Sequence, residues 1–258
     1  MRNLITLTGR ELRAFFYSPI AYATGFIFAV ITGVFFYAAL SYYGMASYEM
    51  SRMAQFAGPR ELSLGEYVLR PLFGNLSVVM LLMLPLLTMR LFSEERKAGS
   101  LELLFTWPLT DFQITLGKFL AVYLVFLLML AVSALNIAIL AWFAPPPWGV
   151  VACGYLGLAL LGAAFLAMGL FMSTLTENQV IAAALSFGAL LLFWVVGWLV
   201  PEQKDAFAAM VEYLSIFSHF ERFSKGVVDT RDVVYYLSFA FLFLFLTLRS
   251  LEAAKYRG

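Results

Sequence analysis

Residues 119–176 read FLAVYLVFLLMLAVSALNIAILAWFAPPPWGVVACGYLGLALLGAAFLAMGLFMSTLT, without one formally charged side chain. Crossing ~30 Å of hydrocarbon takes about 20 helical residues, so this run is too long for one crossing. Pro145-Pro146-Pro147 divides it, because consecutive prolines cannot continue a helix. It therefore predicts two transmembrane helices, Gly117 to Phe143 and Val150 to Leu175. Working outward, four more apolar stretches reach comparable length: Ile20 to Tyr42, Pro71 to Phe92, Val180 to Val200 and Val233 to Leu248. The expected fold is all-α, with six transmembrane helices in a single unit over residues 1–258.

Composition agrees with a chain solvated by lipid. Of its 258 residues, 62% are hydrophobic and 13% charged, against roughly 25% charged in soluble domains. The net charge of +1, with no basic cluster, excludes a nucleic-acid binder. Cys153 is the one cysteine, so no disulfide framework exists. Arg2, Arg10, Glu11 and Arg13 interrupt the first stretch, and no small-residue cleavage site follows, so the first long apolar run reads as a retained anchor. An even number of crossings puts both termini on one side. Ten of the 17 Lys and Arg residues fall on that side, Arg96, Lys97 and Arg257 among them, which orients it toward the cytoplasm.

Two amphipathic segments flank the crossings. In residues 1–17, Arg2, Thr6, Arg10 and Arg13 share one helical face, and Leu4, Ile5, Leu12, Phe15 and Phe16 another. Such a helix lies in the interface and ends at Ser18-Pro19. In residues 201–232, Phe207, Met210, Val211, Leu214 and Phe217 recur at helical spacing, which predicts short outer helices before the last crossing.

The loop at residues 93–108 is read in most detail. Gly99 can end a helix and Ser100 can cap the next one. Glu102 falls in the new first turn, where the helix dipole favours an acid, and Pro108 stops the helix after about two turns. Thr110 and Gln113 form a capping box for the third crossing, and Thr176 with Gln179 forms another before the fifth. Physical chemistry alone favours a capped turn between two crossings over a docking element.

The stretch Glu94-Glu95-Arg96-Lys97-Ala98-Gly99-Ser100-Leu101-Glu102-Leu103-Leu104, followed by Pro108-Leu109-Thr110 and Gly117-Lys118-Phe119, resembles the coupling helix of type-2 ABC permeases. The six-crossing plan and the N-terminal elbow helix resemble the same family. Ser18-Pro19-Ile20-Ala21-Tyr22 and the segment from Ser218 to Asp232 are similar to its gliding-motility GldF branch, to which NosY-type permeases are related. The resemblance implies an inner-membrane half-transporter that pairs with a second permease copy or paralogue. It implies an ABC ATPase docked on Glu94, Glu95, Gly99, Ser100, Leu101, Glu102 and Leu104, and a large periplasmic auxiliary protein as a further partner. The first, second and fifth crossings are implied to line the path or the dimer interface. A scaffold for an ATPase-driven envelope machine, without substrate passage, is the alternative.

No Gly-x-x-x-x-Gly-Lys-Ser/Thr phosphate loop occurs, so ATP and Mg are expected on the partner ATPase. The subunit itself is expected to be non-catalytic, with no cofactor and no metal. Glu94-Glu95 invites comparison with Glu-Glu-x-x-x-Arg intramembrane proteases, but Gly99 stands where the Arg belongs. His219 is the single histidine and is expected to be a hydrogen-bonded interface residue rather than a ligand.

Overall fold

A computed structural model describes residues 2–57, 62–100, 110–199 and 213–255, and every regular element among them is helical. Helix α1 (Arg2–Tyr17) ends at Ser18, and α2 (Pro19–Ala57) begins on the proline, which suits a helix start because its missing N–H is not needed there. Helix α2 is 39 residues long, far more than the expected Ile20 to Tyr42, because no breaker interrupts it until residue 58. A π-helical turn, Gly65–Leu69, leads into α3 (Arg70–Thr88), and α4 (Ser93–Lys97) follows after one irregular turn. Then come α5 (Asp111–Phe143), α6 (Trp148–Thr174), α7 (Gln179–Val195) with a 3-10 extension at Val196–Leu199, α8 (Ile216–Ser224) and α9 (Thr230–Lys255).

Among the described residues, five segments are long and apolar enough to cross a bilayer: Pro19–Arg52, Gly65–Lys97, Asp111–Phe143, Trp148–Thr174 and Thr230–Lys255. The fifth expected crossing, α7, is equally apolar but has only 17 residues. The outer surface carries large apolar side chains, among them Phe26, Val34, Leu135, Leu192 and Phe241, each exposed. A water-soluble fold would bury such a set; here hydrocarbon is the solvent for it.

Helix α6 is the centre of the bundle and packs against α3, α5, α7, α8 and α9. Its small residues explain that position. A Cβ placed on Gly154 would strike Phe73 of α3, on Gly162 Phe126 of α5, and on Gly169 Thr88 of α3. Close approach of this kind supplies the packing that holds helices together in lipid, where hydrophobic burial gives no advantage. Ala164 and Ala167 are buried beside them.

Several serine hydroxyls inside the bundle are satisfied locally. Ser77, Ser133, Ser173 and Ser186 each donate to a carbonyl three or four residues back on their own helix, and Ser133 also meets the Tyr155 hydroxyl of α6 at 3.2 Å. Pro85 sits inside α3 and cannot donate to the Leu81 carbonyl. The Thr88 hydroxyl donates to the Leu84 and Pro85 carbonyls, at 3.3 Å each.

The buried face of α1 is Leu7, Phe15 and half-buried Glu11 turned toward α5, while Ile5 and Phe16 of its apolar face are exposed. Two local expectations need correction. The cap of α7 is Asn178, which accepts from Val180 N at 2.9 Å, rather than Thr176; Thr176 accepts from Asn178 N. In the segment before α9, Phe207, Met210 and Val211 lie outside the described residues, and Leu214 is exposed. The packing face there is Ile216, Phe220 and Phe223, set against α6. The capping box at Thr110 and Gln113 is present in full.

Candidate functional site

Helix α4 is five residues long and begins with Ser93, whose hydroxyl bonds back to the Met89 carbonyl. It ends where Gly99 takes φ of +66°, a left-handed conformation that costs glycine nothing and other residues about a kcal/mol or more. A Cβ there would meet nothing within 4 Å, so Gly99 serves the backbone turn and not close packing. Ser100 donates to the Glu95 carbonyl at 3.3 Å. Leu101, Glu102 and Leu104 lie outside the described residues. Of the expected docking residues that are described, Glu94 faces outward and Glu95 turns inward.

The inward turn of Glu95 has a specific cause. Lys118, at the start of α5, is only 1% exposed. A buried ammonium must have its three N–H groups answered or lose several kcal/mol. Lys118 Nζ donates to the Leu91 carbonyl at 2.9 Å, to Glu95 Oε1 at 2.7 Å and to Glu11 Oε2 at 3.5 Å, and lies 5.2 Å from the Phe92 ring centre. One cation therefore joins α1, the α3–α4 turn, α4 and α5. Its neighbour Gly117 lets α1 come close, since a Cβ there would stand 2.8 Å from Leu7 Cδ2.

Further ties hold α4 from the other side. The Arg96 guanidinium donates to the Thr174 carbonyl at the C-terminal end of α6, a site where the helix dipole favours a cation. Thr174 in turn donates to Ser250 Oγ of α9 at 2.9 Å. Burial pushes the Glu11 carboxyl up, but Lys118 and Arg10 beside it outweigh that, and its pKa falls below the ordinary value. Arg90 donates to the Ser18 hydroxyl and lies 4.6 Å from the Phe15 ring centre, so the end of α3 grips the α1–α2 corner. The sequence offers Glu11 only as a charge ahead of the first crossing and Lys118 only as part of the coupling-helix resemblance. Nothing in helical spacing pairs two residues 107 positions apart.

The opposite end of the bundle carries a second polar cluster. His219 of α8 is 3% exposed, contacts Asp232 of α9 through Nδ1 at 2.6 Å, and places Nε2 3.0 Å from the Tyr213 carbonyl. Tyr235 stacks on the imidazole with ring centres 4.0 Å apart. Arg222 completes the cluster by donating to Asp232, and Glu221 bridges Arg70 of α3 at 2.6 Å and Lys225 at 2.9 Å. The hydrogen bond from Lys225 is the chief reason the Glu221 carboxyl titrates below its ordinary value. His219 is thus an interface residue, as its isolation in the sequence suggested. Among the described residues no three His, Cys, Asp or Glu side chains converge on a metal position.

These features define a multi-pass helical membrane protein with a polar junction between its second and third long helices and a second polar cluster at the opposite end. The chain belongs to the ABC-2 transporter family, whose profile matches residues 5–251, nearly its full length. Membership makes it a membrane permease component of an ABC transporter, a class of generally non-catalytic subunits that work with an ABC ATPase. A comparison with curated proteins finds no match.

Proposed function

We infer that the chain is a six-crossing exporter permease of the GldF/NosY-like branch, in which α4 and residues 101–108 receive a partner ATPase. The observation that carries this reading is the Lys118 junction. Because one buried cation holds Glu95 of α4 and Glu11 of α1, displacement of α4 is passed to the elbow helix and to α5 together. A solvent-exposed pair would yield instead of transmitting, since it contributes only about 0–1 kcal/mol.

The length of α7 fits a sixth crossing. Its 17 residues rise about 1.5 Å each, and the four 3-10 residues about 2.0 Å each, for roughly 33 Å in total. Its start lies at the α4 end of the bundle, and Gly197 just beyond it packs against Ser215, which caps α8. Six crossings put both termini beside α4, on the cytoplasmic side of the inner membrane by the Lys and Arg bias. In this reading ATP and Mg belong to the ATPase, and a second permease copy or paralogue completes the path.

The test is stimulation of the partner ATPase by the reconstituted chain. Glu102→Lys and Leu104→Asp are expected to abolish stimulation and copurification while the protein still inserts. Wild-type ATPase activity in both variants would overturn the docking assignment. ATP-dependent passage of a molecule separates export from a scaffold role, for which ATPase stimulation without passage is the expected result.

A further inference from the structure

The buried imidazole of His219, at the end of the bundle opposite α4, has no role in ATPase docking, and both of its ring nitrogens face acceptors. Nδ1 lies 2.6 Å from Asp232 Oδ1, and Nε2 lies 3.0 Å from the Tyr213 carbonyl oxygen. Neither a carbonyl nor an ionised carboxylate can donate. A neutral imidazole carries one N–H, so in that form one of the two contacts sets a lone pair against a lone pair. The doubly protonated ring answers both. Arg222 also donates to Asp232 Oδ1, so the lone pairs of that oxygen are turned to two donors and the shared proton sits on the ring. Arg222 Nη2 is 3.3 Å from Nδ1 as well, but a guanidinium hydrogen turned there would leave Nδ1 and Oδ1 facing each other unprotonated at 2.6 Å.

The surroundings favour the same state. Asp232 and Asp229 stand against Arg222, the latter at 4.0 Å, so a protonated ring balances two acids with two bases. Without that proton the group keeps a net negative charge. Tyr235 of α9 lies over the ring with centres 4.0 Å apart and planes tilted by 20°, a stacking that favours a cation. Asp232 Oδ2 is buried with no hydrogen-bond partner, so the carboxylate depends on the two groups at Oδ1. Among the described residues no other charged side chain pairs with the ring. Helix α6 meets α8 through Gly157 against Phe220 and Phe223, α7 through Trp194 against Phe217, and α3 through Arg70, which pairs with Glu221.

We propose that His219 is an imidazolium in the folded chain, and that its second proton closes a pH-sensitive clamp between residues 213–224 and the start of α9. Three donors pin the chain at the start of α8. The Tyr213, Leu214 and Ile216 carbonyls accept from His219, Tyr235 and Tyr236, the two hydroxyls at 3.0 and 2.7 Å. Of these donor types only an imidazole changes charge near neutral pH. Loss of the proton bares one ring nitrogen. Turned to Asp232, that nitrogen repels the carboxylate of α9; turned to Tyr213, it repels the carbonyl ahead of α8. By linkage the closed clamp takes up a proton that the open one gives back, so acid closes it and alkali opens it. In the six-crossing reading, the medium that sets the clamp is the one outside the cytoplasm.

His219 is the only histidine in the sequence, so isotopically labelled histidine gives a single imidazole nitrogen spectrum from the unaltered full chain in detergent. At a pH of about 7.5 an ordinary imidazole is about nine-tenths neutral. Both nitrogens of His219 are expected to resonate as protonated there, and one unprotonated nitrogen would overturn the proposal. Asp232→Asn is expected to return the ring to its neutral form at the same pH; a ring still doubly protonated in that variant would overturn the assignment of the proton to this pair. Hydrogen exchange of residues 213–224, corrected for the intrinsic rate, reads the clamp itself. Protection is expected to fall about tenfold or more between pH of about 6 and about 9, the effect of one hydrogen bond to a charged group. His219→Gln, which does not titrate, is expected to show no such fall. Constant protection in the unaltered chain, or an equal fall in both chains, would overturn the clamp. Should either variant fail to fold, the nitrogen spectrum and the exchange of the unaltered chain decide alone. The inference rests on this cluster, so its failure leaves the ATPase-docking reading intact.

Discussion

Replacing Lys118 by Met removes one charge and keeps most of the side-chain volume. Its three hydrogen bonds disappear, and two carboxylates lose their common cation. Removing one member of a buried ion pair costs about 3–5 kcal/mol, chiefly because the partner charge stays buried. Glu11 retains Arg10 at 2.7 Å, and the Glu11 and Glu95 side chains are 12% and 19% exposed, so the lower end of that range applies. About 3 kcal/mol corresponds to a change on the order of 10² in a local opening constant. Amide hydrogen exchange on the purified full chain reads that constant segment by segment. In Lys118→Met, α1 and α4 are expected to exchange on the order of 10² faster, together, with the centre of α6 unchanged. Adding Glu11→Gln and Glu95→Gln to the same chain leaves no buried charge and is expected to restore most of the protection. The reasoning fails if α1 and α4 respond independently, or if the triple variant is as loose as the single one.

Other consequences are accessible with the same material. Gly162→Ala is expected to lower thermal stability through overpacking against Phe126, by about 1–3 kcal/mol, whereas Gly188→Ala, with open space around it, is expected to be neutral or stabilising; equal effects in a melting assay would contradict the close-packing account of α6. His219→Ala leaves Asp232, which is fully buried, with Arg222 as its remaining partner, and is expected to loosen α8 from α9 by about 1–3 kcal/mol, read as increased proteolysis between residues 213 and 230. Because the Glu11 pKa is depressed in the folded chain, its contribution is complete above about pH 4.3, the unfolded value, and fades as pH falls through the lower folded value. Release of α1 on acidification is thus expected below pH of about 4.3 in the wild type and without that step in Glu11→Gln; a wild-type midpoint well above it would refute the sign of the linkage.

How far the chain could be read beforehand depended on whether a feature is local. Ser18-Pro19, Pro145-Pro146-Pro147 and the Thr110–Gln113 box act through a few adjacent residues, and each sits at the helix boundary expected of it. Gly99 likewise ends α4, because a left-handed turn is a property of one residue. Features that depend on two distant elements were not legible. Lys118 is buried because α1 folds back over Gly117, and no pattern within α5 says so. Which part of the apolar face of α1 is buried was not legible for the same reason: an amphipathic helix in lipid has two apolar neighbours, the protein and the hydrocarbon, and its sequence does not say which residues face which. The cap of α7 shifted from Thr176 to Asn178 because both residues are good caps, and the choice was made by the turn between helices.

Helix α2 has a mechanical consequence. At about 1.5 Å per residue its 39 residues extend roughly 58 Å, nearly twice the hydrocarbon thickness. Its near end is the corner at Ser18, which the Arg90 side chain holds. A rod of that length pivoting by about 5° at the corner would sweep its tip sideways by roughly 5 Å, one turn of helix. Angstrom-scale adjustments at one membrane face would thus arrive in the far half of the rod as displacements of about 3–4 Å at Tyr42, Met45 and Tyr48, which are all exposed.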